Sequence, residues 1–258
     1  MSTCGLIGAT GFVGGNLQRQ RSFDACYHSV NIDEIGNELF DLVICAAPSA
    51  VKWLANKHPD DDRAHVDRLL ADLETVRTRR FVLVSTVDVY PIPIAVDEST
   101  PIEPGAGQPY GRHRRDIELR VRELFENTLT VRLPQLFGPG LKKNFVYDLM
   151  YDNALHLIDH RSILQFYPVT RLSSDIDAAL AAGREVVNLA VEPATTGLIA
   201  RQVFDIDFDN ETEHGPVHYD LRSNDLGFLG RSSPYVMDRE AWFESMRQFV
   251  TAERERSA

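Results

Sequence analysis

The chain has 258 residues and a net charge of −11, with a hydrophobic share of 43% that suits a soluble globular protein. That length can bury a sizeable core in one large domain, or in a domain with a small lobe. The acidic balance, with no basic run beyond residues 112–115, excludes nucleic acid as the main partner, and no apolar stretch is long enough to span a bilayer.

The N-terminus enters directly into an apolar strand at residues 3–7, with no basic segment ahead of an apolar one, so no secretory signal is expected. Residues 6–16 read LIGATGFVGGN: the strand runs into Gly8-x-x-Gly11-x-x-Gly14 and then a helix at 13–21. In such a turn, one glycine makes the bend, another lets backbone approach a pyrophosphate, and a third lets helix and strand pack closely. The helix N-terminus, at Phe12 and Val13, then offers free N–H groups and a positive dipole end to phosphate. The spacing differs from the common G-x-G-x-x-G, and glycine turns also end strands for structural reasons.

A second strand is expected at 25–30, a turn or two of helix at 33–39, and a strand buried on both faces at 42–47 (LVICAA). A charged amphipathic helix follows at 61–78, with Val66, Leu69, Leu70 and Leu73 on one side. Then come a buried strand at 80–85 (RFVLVS), a long helix at 110–126 with Ile117, Val121, Leu124 and Phe125 on its apolar face, and a strand at 128–133. Cys4, Cys26 and Cys45 fall in or beside these strands and read as small core residues of a reducing, cytoplasmic setting, not as nucleophiles.

Alternating strands and helices imply a parallel, doubly wound sheet of Rossmann type, with ligands at the carboxyl ends of its strands. The Pro/Gly-rich segments 91–109 and 134–140 follow strands and fall at that edge. Beyond residue 140 the pattern loosens. Helices near 145–153 and 175–182 and a region around 167–171 suggest a small substrate lobe, a strand at 187–193 has a structural role, a helix is expected at 239–250, and the tail from 251 reads as frayed. The expected division is a dinucleotide-binding domain over 1–140 and a lobe over 141–258 with elements returning to the sheet.

Several segments, in order, resemble the extended short-chain dehydrogenase/reductase family of the NAD-dependent epimerase/dehydratase type. They are GATGFVGGNL for the phosphate turn, VICAAP at 43–48 for the strand passing the adenosine, and FVLVSTVDVY at 81–90 for the strand carrying a catalytic Ser/Thr. DESTPIEP at 97–104 is similar to the acidic-proline loop, PYGRHRRDIE at 109–118 to the catalytic helix, and VRLPQLFGPG at 131–140 to the strand and loop beyond the nicotinamide. The resemblance covers about residues 3–150 well. It implies a nicotinamide dinucleotide held at Gly8, Gly11, Phe12, Val13, Gly14, Asn31, Ala46, Ala47 and Pro48, together with Tyr110 and Arg114. It also implies a catalytic set of Thr86, Tyr110 and Arg114, a nucleotide-linked sugar as substrate, and a homodimer through the helices at 61–78 and 110–126.

Moving a hydride to or from a carbinol carbon requires a group that moves the hydroxyl proton, and a tyrosine whose phenolate is stabilised by a nearby cation can do so. Tyr110 and Arg114, at i and i+4, share one face of a helix, and Thr86 ends the buried strand, where its hydroxyl can polarise the substrate oxygen. The family pattern is Tyr-x-x-x-Lys. Here an arginine takes the lysine's place, and the chain's four lysines, Lys52, Lys57, Lys142 and Lys143, all lie far from Tyr110 in sequence. Arginine keeps the charge with a longer, planar head, but does not reproduce an ammonium in a proton relay.

Asp88, Gln135, Asn144 and Arg171 are candidate sugar and phosphate contacts, an arginine being suited to a diphosphate. His65, a lone histidine on a helix, reads as structural. Asn31 could bond the ribose of NAD or NADP, and the lack of a lysine or arginine beside it leans toward NAD. No metal is expected. With only Asp88 where dehydratases carry an acid pair, reduction or epimerisation ranks above dehydration. Two other readings stay open: a non-catalytic dinucleotide-binding regulator or scaffold, which the missing lysine favours, and a reductase of a small carbonyl metabolite.

Overall fold

The computed structural model describes residues 3–257, and their contacts divide into two compact units. The first comprises residues up to 92, 100–133 and 173–187; the second comprises 93–99, 134–172 and the residues from 188 onward.

The first unit is built on a six-stranded sheet. Its strands are β1 (Cys4–Ile7), β2 (Ala25–Tyr27), β3 (Leu42–Cys45), β4 (Phe81–Thr86), β5 (Thr128–Leu133) and β6 (Val186–Asn188), in the order β6-β5-β4-β3-β1-β2. The pairs β2–β1, β1–β3, β3–β4 and β4–β5 are all parallel, which gives the doubly wound α/β architecture expected from the sequence. The chain lays β2 on one side of β1 and then crosses to lay β3 on the other, so strand order reverses between β1 and β3. A crevice at the carboxyl ends of strands flanking such a reversal is where this architecture binds ligands.

Helices α1 (Phe12–Gln20), α2 (Lys52–Lys57), α3 (Pro59–Leu73), α4 (Pro109–Leu124) and α5 (Leu172–Ala181) accompany the sheet. β3 is buried along its whole length, as its unbroken apolar run requires. One layer of the core joins Ile7, Val43, Phe81 and Leu83 of the sheet to Val66 and Leu73 of α3 and Ile117 and Val121 of α4, and Phe81 stacks on Phe125 at 4.2 Å. α3 and α4 each begin with a proline in the first turn, where the missing N–H costs no helical bond, and α3 adds Asp60, Asp61 and Asp62 to its positive end.

Several boundaries differ from the sequence reading. β2 ends at Tyr27, three residues early, because the chain turns at once into a 3-10 helix over Ile32–Asn37. α2, between Pro48 and Pro59, is too short to announce itself by periodicity. The tail is not frayed through its described length: the last helix runs Arg239–Ser257 and buries Trp242, Phe243, Met246 and Val250. Among the described residues, no helix is long and apolar enough to cross a membrane.

The second unit is held by short strand pairs and side-chain anchors rather than by a large sheet. Gln135–Phe137 pairs in parallel with Phe166–Pro168, and Ile94–Val96 with Asp220–Leu221. Buried Gln165 donates to Val191 and Leu221 carbonyls at 2.6 and 2.9 Å and accepts from the Leu221 N–H at 2.7 Å. Glu98, from the acidic-proline loop, accepts from Asn188 N, Ser223 Oγ and Asn224 N at 2.7–2.8 Å, so this loop's acid fastens backbone.

Candidate active site

The glycine turn leaves no room for side chains. Gly8 has φ +87°, in the left-handed region, and a Cβ there would lie 2.6 Å from backbone atoms of Ala46 and Ala47, at the end of β3. A Cβ on Gly14 would lie 2.1 Å from the Gly8 carbonyl oxygen. Helix α1 therefore starts tightly against the β1 turn, directly at the strand-order reversal. Gly11 is its N-cap residue, no side chain caps it, and no acidic residue occupies its first turn. These features fit a nicotinamide dinucleotide: a helix end open to a pyrophosphate, beside a turn that keeps side chains out of the way. Ala46, Ala47 and Pro48 follow β3 along the same edge, and Ala46 N donates to Ile7 O at 2.8 Å.

Asn31 is spent locally. Its Oδ1 accepts from the His28 N–H at 2.9 Å, and its Nδ2 donates to Cys26 O at 3.3 Å, which closes the turn after β2.

Thr86 is the last residue of β4, and its Oγ caps the following 3-10 turn by accepting from Asp88 N at 3.2 Å. The first turn of α4 sits directly on that turn. A Cβ on Gly111 would lie 1.9 Å from the Asp88 carbonyl oxygen, so only glycine lets the helix come so close. Gly111 thus brings Tyr110 close to Thr86, whose side chain acts to lower the phenol's pKa. Tyr110 is only 6% exposed. Burial pushes its pKa above the usual tyrosine value and the Asp88 charge adds to this, while Arg114, Thr86 and Lys52 oppose it.

Arg114 lies over the phenol, its guanidinium carbon 4.4 Å from the ring centroid. Its hydrogen bonds are committed elsewhere: Nη1 and Nη2 donate to the Asp62 carboxylate at 2.8 and 2.9 Å, and Nη2 also donates to Ser49 O at 2.7 Å. His113 Nδ1 meets the same carboxylate at 2.7 Å. Burial pushes the Asp62 carboxyl up, but hydrogen bonds from Arg114 and His113 outweigh it and hold the group below the ordinary aspartate range. Arg114 thus gives the phenol its charge, while its Nη groups go to α3 and to the loop after β3 and its buried Nε–H has no partner. His65 is exposed on α3 and only meets the Asp61 carbonyl, a structural place.

One group that sequence separation hid is Lys52. α2 carries its Nζ to 2.6 Å from Asp88 Oδ1, while Asp88 Oδ2 lies 3.5 Å from the Thr86 hydroxyl. One turn on, Asn56 Oδ1 accepts from the Tyr110 backbone N–H at 3.0 Å and so caps α4, which has no side-chain cap of its own. The reading that every lysine lies away from Tyr110 is therefore corrected: α2 folds one back to the Thr86–Asp88 turn.

A second buried ion pair lies on the other side of Thr86. Ser85 Oγ donates to Glu118 Oε1 at 2.6 Å, Arg132 bonds both Glu118 oxygens at 2.9 and 2.7 Å, and Arg132 Nη1 donates to Tyr90 Oη at 2.6 Å. The first unit thus gathers Thr86, Asp88, Tyr110, Arg114 and Lys52 in one cluster. Gln135, Asn144 and Arg171 belong to the second unit. There Asn144 acts as a helix cap, accepting from Val146 N and Tyr147 N at 3.0 and 3.3 Å and donating to Leu136 O at 2.8 Å.

No family model and no curated protein sequence matches the chain. Solved structures do. A dTDP-4-dehydrorhamnose reductase from Bacillus anthracis str. Ames, in complex with NADP, superposes with a TM-score of 0.76 at 18% identity, covering 97% of this chain and 98% of its own. The fold is that of the extended short-chain dehydrogenases/reductases. A UDP-N-acetylglucosamine 4-epimerase from Methanobrevibacter ruminantium M1, in complex with UDP-N-acetylmuramic acid, matches with a TM-score of 0.72 at 15% identity over 97% of both chains. MoeE5 in complex with UDP-glucose and NAD matches with a TM-score of 0.67 at 16% identity, covering 99% of this chain and all of its own.

Proposed function

We propose that this chain is an NAD(P)-dependent oxidoreductase or epimerase acting on a nucleotide-linked sugar, with Tyr110 as its acid/base. The observation that carries the reading is the buried Tyr110 phenol beside Thr86, with a cation over its ring, in the unit that carries the glycine turn. The solved structures named above support the substrate class, since they hold NADP, NAD, UDP-glucose or another UDP-sugar derivative.

In this reading Gly8, Gly11, Phe12, Val13 and Gly14 cradle the pyrophosphate, and Ala46, Ala47 and Pro48 line the dinucleotide's path. When bound, the nicotinamide supplies or accepts the hydride. The Thr86 hydroxyl orients the substrate oxygen. Tyr110 gives its proton to that oxygen in reduction and takes it back in oxidation. Arg114 stabilises the phenolate through the ring face, and Asp62 fixes the arginine there. Gln135 and Arg171 are the proposed sugar and diphosphate contacts; Asp88, met by Lys52 at 2.6 Å, is held on the Thr86 turn instead, and the capping bonds of Asn144 suit it to positioning the segment after Gly140. The lean toward NAD rests on residues 25–33, which contain no lysine or arginine. The homodimer through α3 and α4 belongs to the same proposal.

One observation favours the non-catalytic alternative: the Arg114 charge is paired with Asp62, which weakens its pull on the phenol. The deciding experiment incubates the protein with NAD, NADH, NADP or NADPH and a panel of UDP- and dTDP-hexoses, with products read by NMR. Conversion of at least one sugar supports the enzyme. Binding of a dinucleotide with no conversion across the panel supports the scaffold.

A further inference from the structure

The cluster holds an acid that works against its own chemistry. The Asp88 carboxylate is 3.5 Å from the Thr86 hydroxyl, its side chain only 18% exposed, beside a phenol that must carry negative charge in one of its two states. A bare carboxylate there opposes phenolate formation, as the direction of its effect on Tyr110 shows. Arg114 favours the phenolate from the ring face, but its Nη groups donate to Asp62 and Ser49 and it does not meet the Asp88 carboxylate itself.

Lys52 does. Its ammonium contacts Asp88 at 2.6 Å, and the helix that carries it is tied to the acid/base residue by Asn56, one turn further along, which accepts from the Tyr110 N–H at 3.0 Å. Lys52 and Asn56, at i and i+4 on α2, thus present one face to the Thr86–Asp88 turn and the start of α4. We propose that Lys52 is a positioning residue of the reaction: it holds the Asp88 carboxylate and cancels its charge beside the Thr86–Tyr110 hydroxyl pair, so α2 supplies the ammonium that the Tyr-x-x-x-Arg helix lacks. The inference rests on Tyr110 being the acid/base. The charged and titratable groups around that phenol are Arg114 on α4, Asp88 on the turn and Lys52 on α2, with Asp62 of α3 and His113 behind Arg114.

The test is a charge cycle on the full chain, using the UDP- or dTDP-hexose and dinucleotide that the wild type converts. The Lys52 side chain is 41% exposed, so its substitution leaves the core intact, which circular dichroism verifies. Lys52→Met should lower kcat about 10-fold with little change in KM, because the uncovered carboxylate acts on the charge that develops at the phenol. Lys52→Arg should restore most of that loss. Adding Asp88→Asn to Lys52→Met should raise kcat above the single variant, since the offending charge has gone. A merely structural role for Lys52 gives the opposite result, a double variant at or below the single one, and that outcome or an undiminished Lys52→Met overturns the proposal. Tyr110→Phe keeps the two levels apart. If it is inert while Lys52→Met is fully active, only the lysine's role fails; if Tyr110→Phe is active, or the wild type converts nothing, the acid/base reading fails and this inference with it.

Discussion

Arg114 and Tyr110, one helical turn apart on α4, are stacked, with the guanidinium carbon 4.4 Å from the phenol centroid and the Nη groups of the same head turned to Asp62 and Ser49. The arginine is therefore both an electrostatic partner of the phenol and a rivet between α4, α3 and the loop after β3. Arg114→Met should lose both roles. Leaving the buried Asp62 carboxylate with His113 as its one remaining partner should cost at most about 3–5 kcal/mol. Arg114→Lys, which keeps charge but not the two-pronged bond, should cost less. Urea unfolding of the two variants measures the difference.

The buried carboxylates predict the acid limb of stability. Asp62 and Glu118 both titrate below their ordinary ranges: burial pushes each up, and hydrogen bonds from Arg114 and His113, and from Arg132, Ser85 and Arg115, outweigh it. A depressed folded pKa means that the stabilisation is present above the unfolded-state value, about 4 for such groups, and is lost as pH falls through the folded value. Melting temperature should therefore fall below about pH 4. In Asp62→Asn the protein should be less stable at neutral pH and lose less of what remains on acidification.

Tyr110 predicts the direction of the chemistry. Its pKa is raised, first by burial and then by Asp88, so the phenol is protonated at neutral pH. The protonated form is the acid that reduction needs, whereas oxidation needs the phenolate. Reduction should therefore show kcat/KM that is flat from neutral pH to about pH 10, and oxidation should rise with pH across that range. Initial rates in both directions against pH check this. An oxidation rate already saturated at neutral pH would contradict it.

Gly14→Ala should disable the phosphate turn. The new Cβ would stand 2.1 Å from the Gly8 carbonyl oxygen, so the start of α1 must move away from β1. Calorimetric affinity for NAD or NADP should fall at least about 10-fold, equivalent to about 1.4 kcal/mol. Far-ultraviolet circular dichroism should remain close to wild type.

The parts of the fold legible in the sequence were those written in short-range pattern. The unbroken apolar runs of β3 and β4 marked strands buried on both faces, and the three glycines marked the β1–α1 turn. The places of Thr86 at the end of β4 and of Tyr110 in the first turn of α4 were legible, because the apolar run of β4 and the proline before Tyr110 mark those element ends. What was not legible depends on tertiary partners. α4 buries Tyr110, His113, Arg114 and Glu118 along one face, and nothing in its own sequence says that Asp62 and Arg132 will answer those charges. Asn31 looked like a ribose ligand by position, but the turn after β2 consumed both ends of its amide. Lys52 stands on a six-residue helix with no periodicity to reveal which way it faces. One local signal was available: the glycine directly after Tyr110 marks a close approach, and its partner proved to be the Asp88 carbonyl.

Proton transfer by Tyr110 is the central step, and Tyr110→Phe removes the atom that performs it. Conversion of UDP- and dTDP-hexoses by wild type and variant should be followed by NMR, with dinucleotide affinity measured alongside. The predicted result is a loss of at least about 10²-fold in kcat with dinucleotide affinity unchanged. A Tyr110→Phe variant that turns over sugar at the wild-type rate would contradict it.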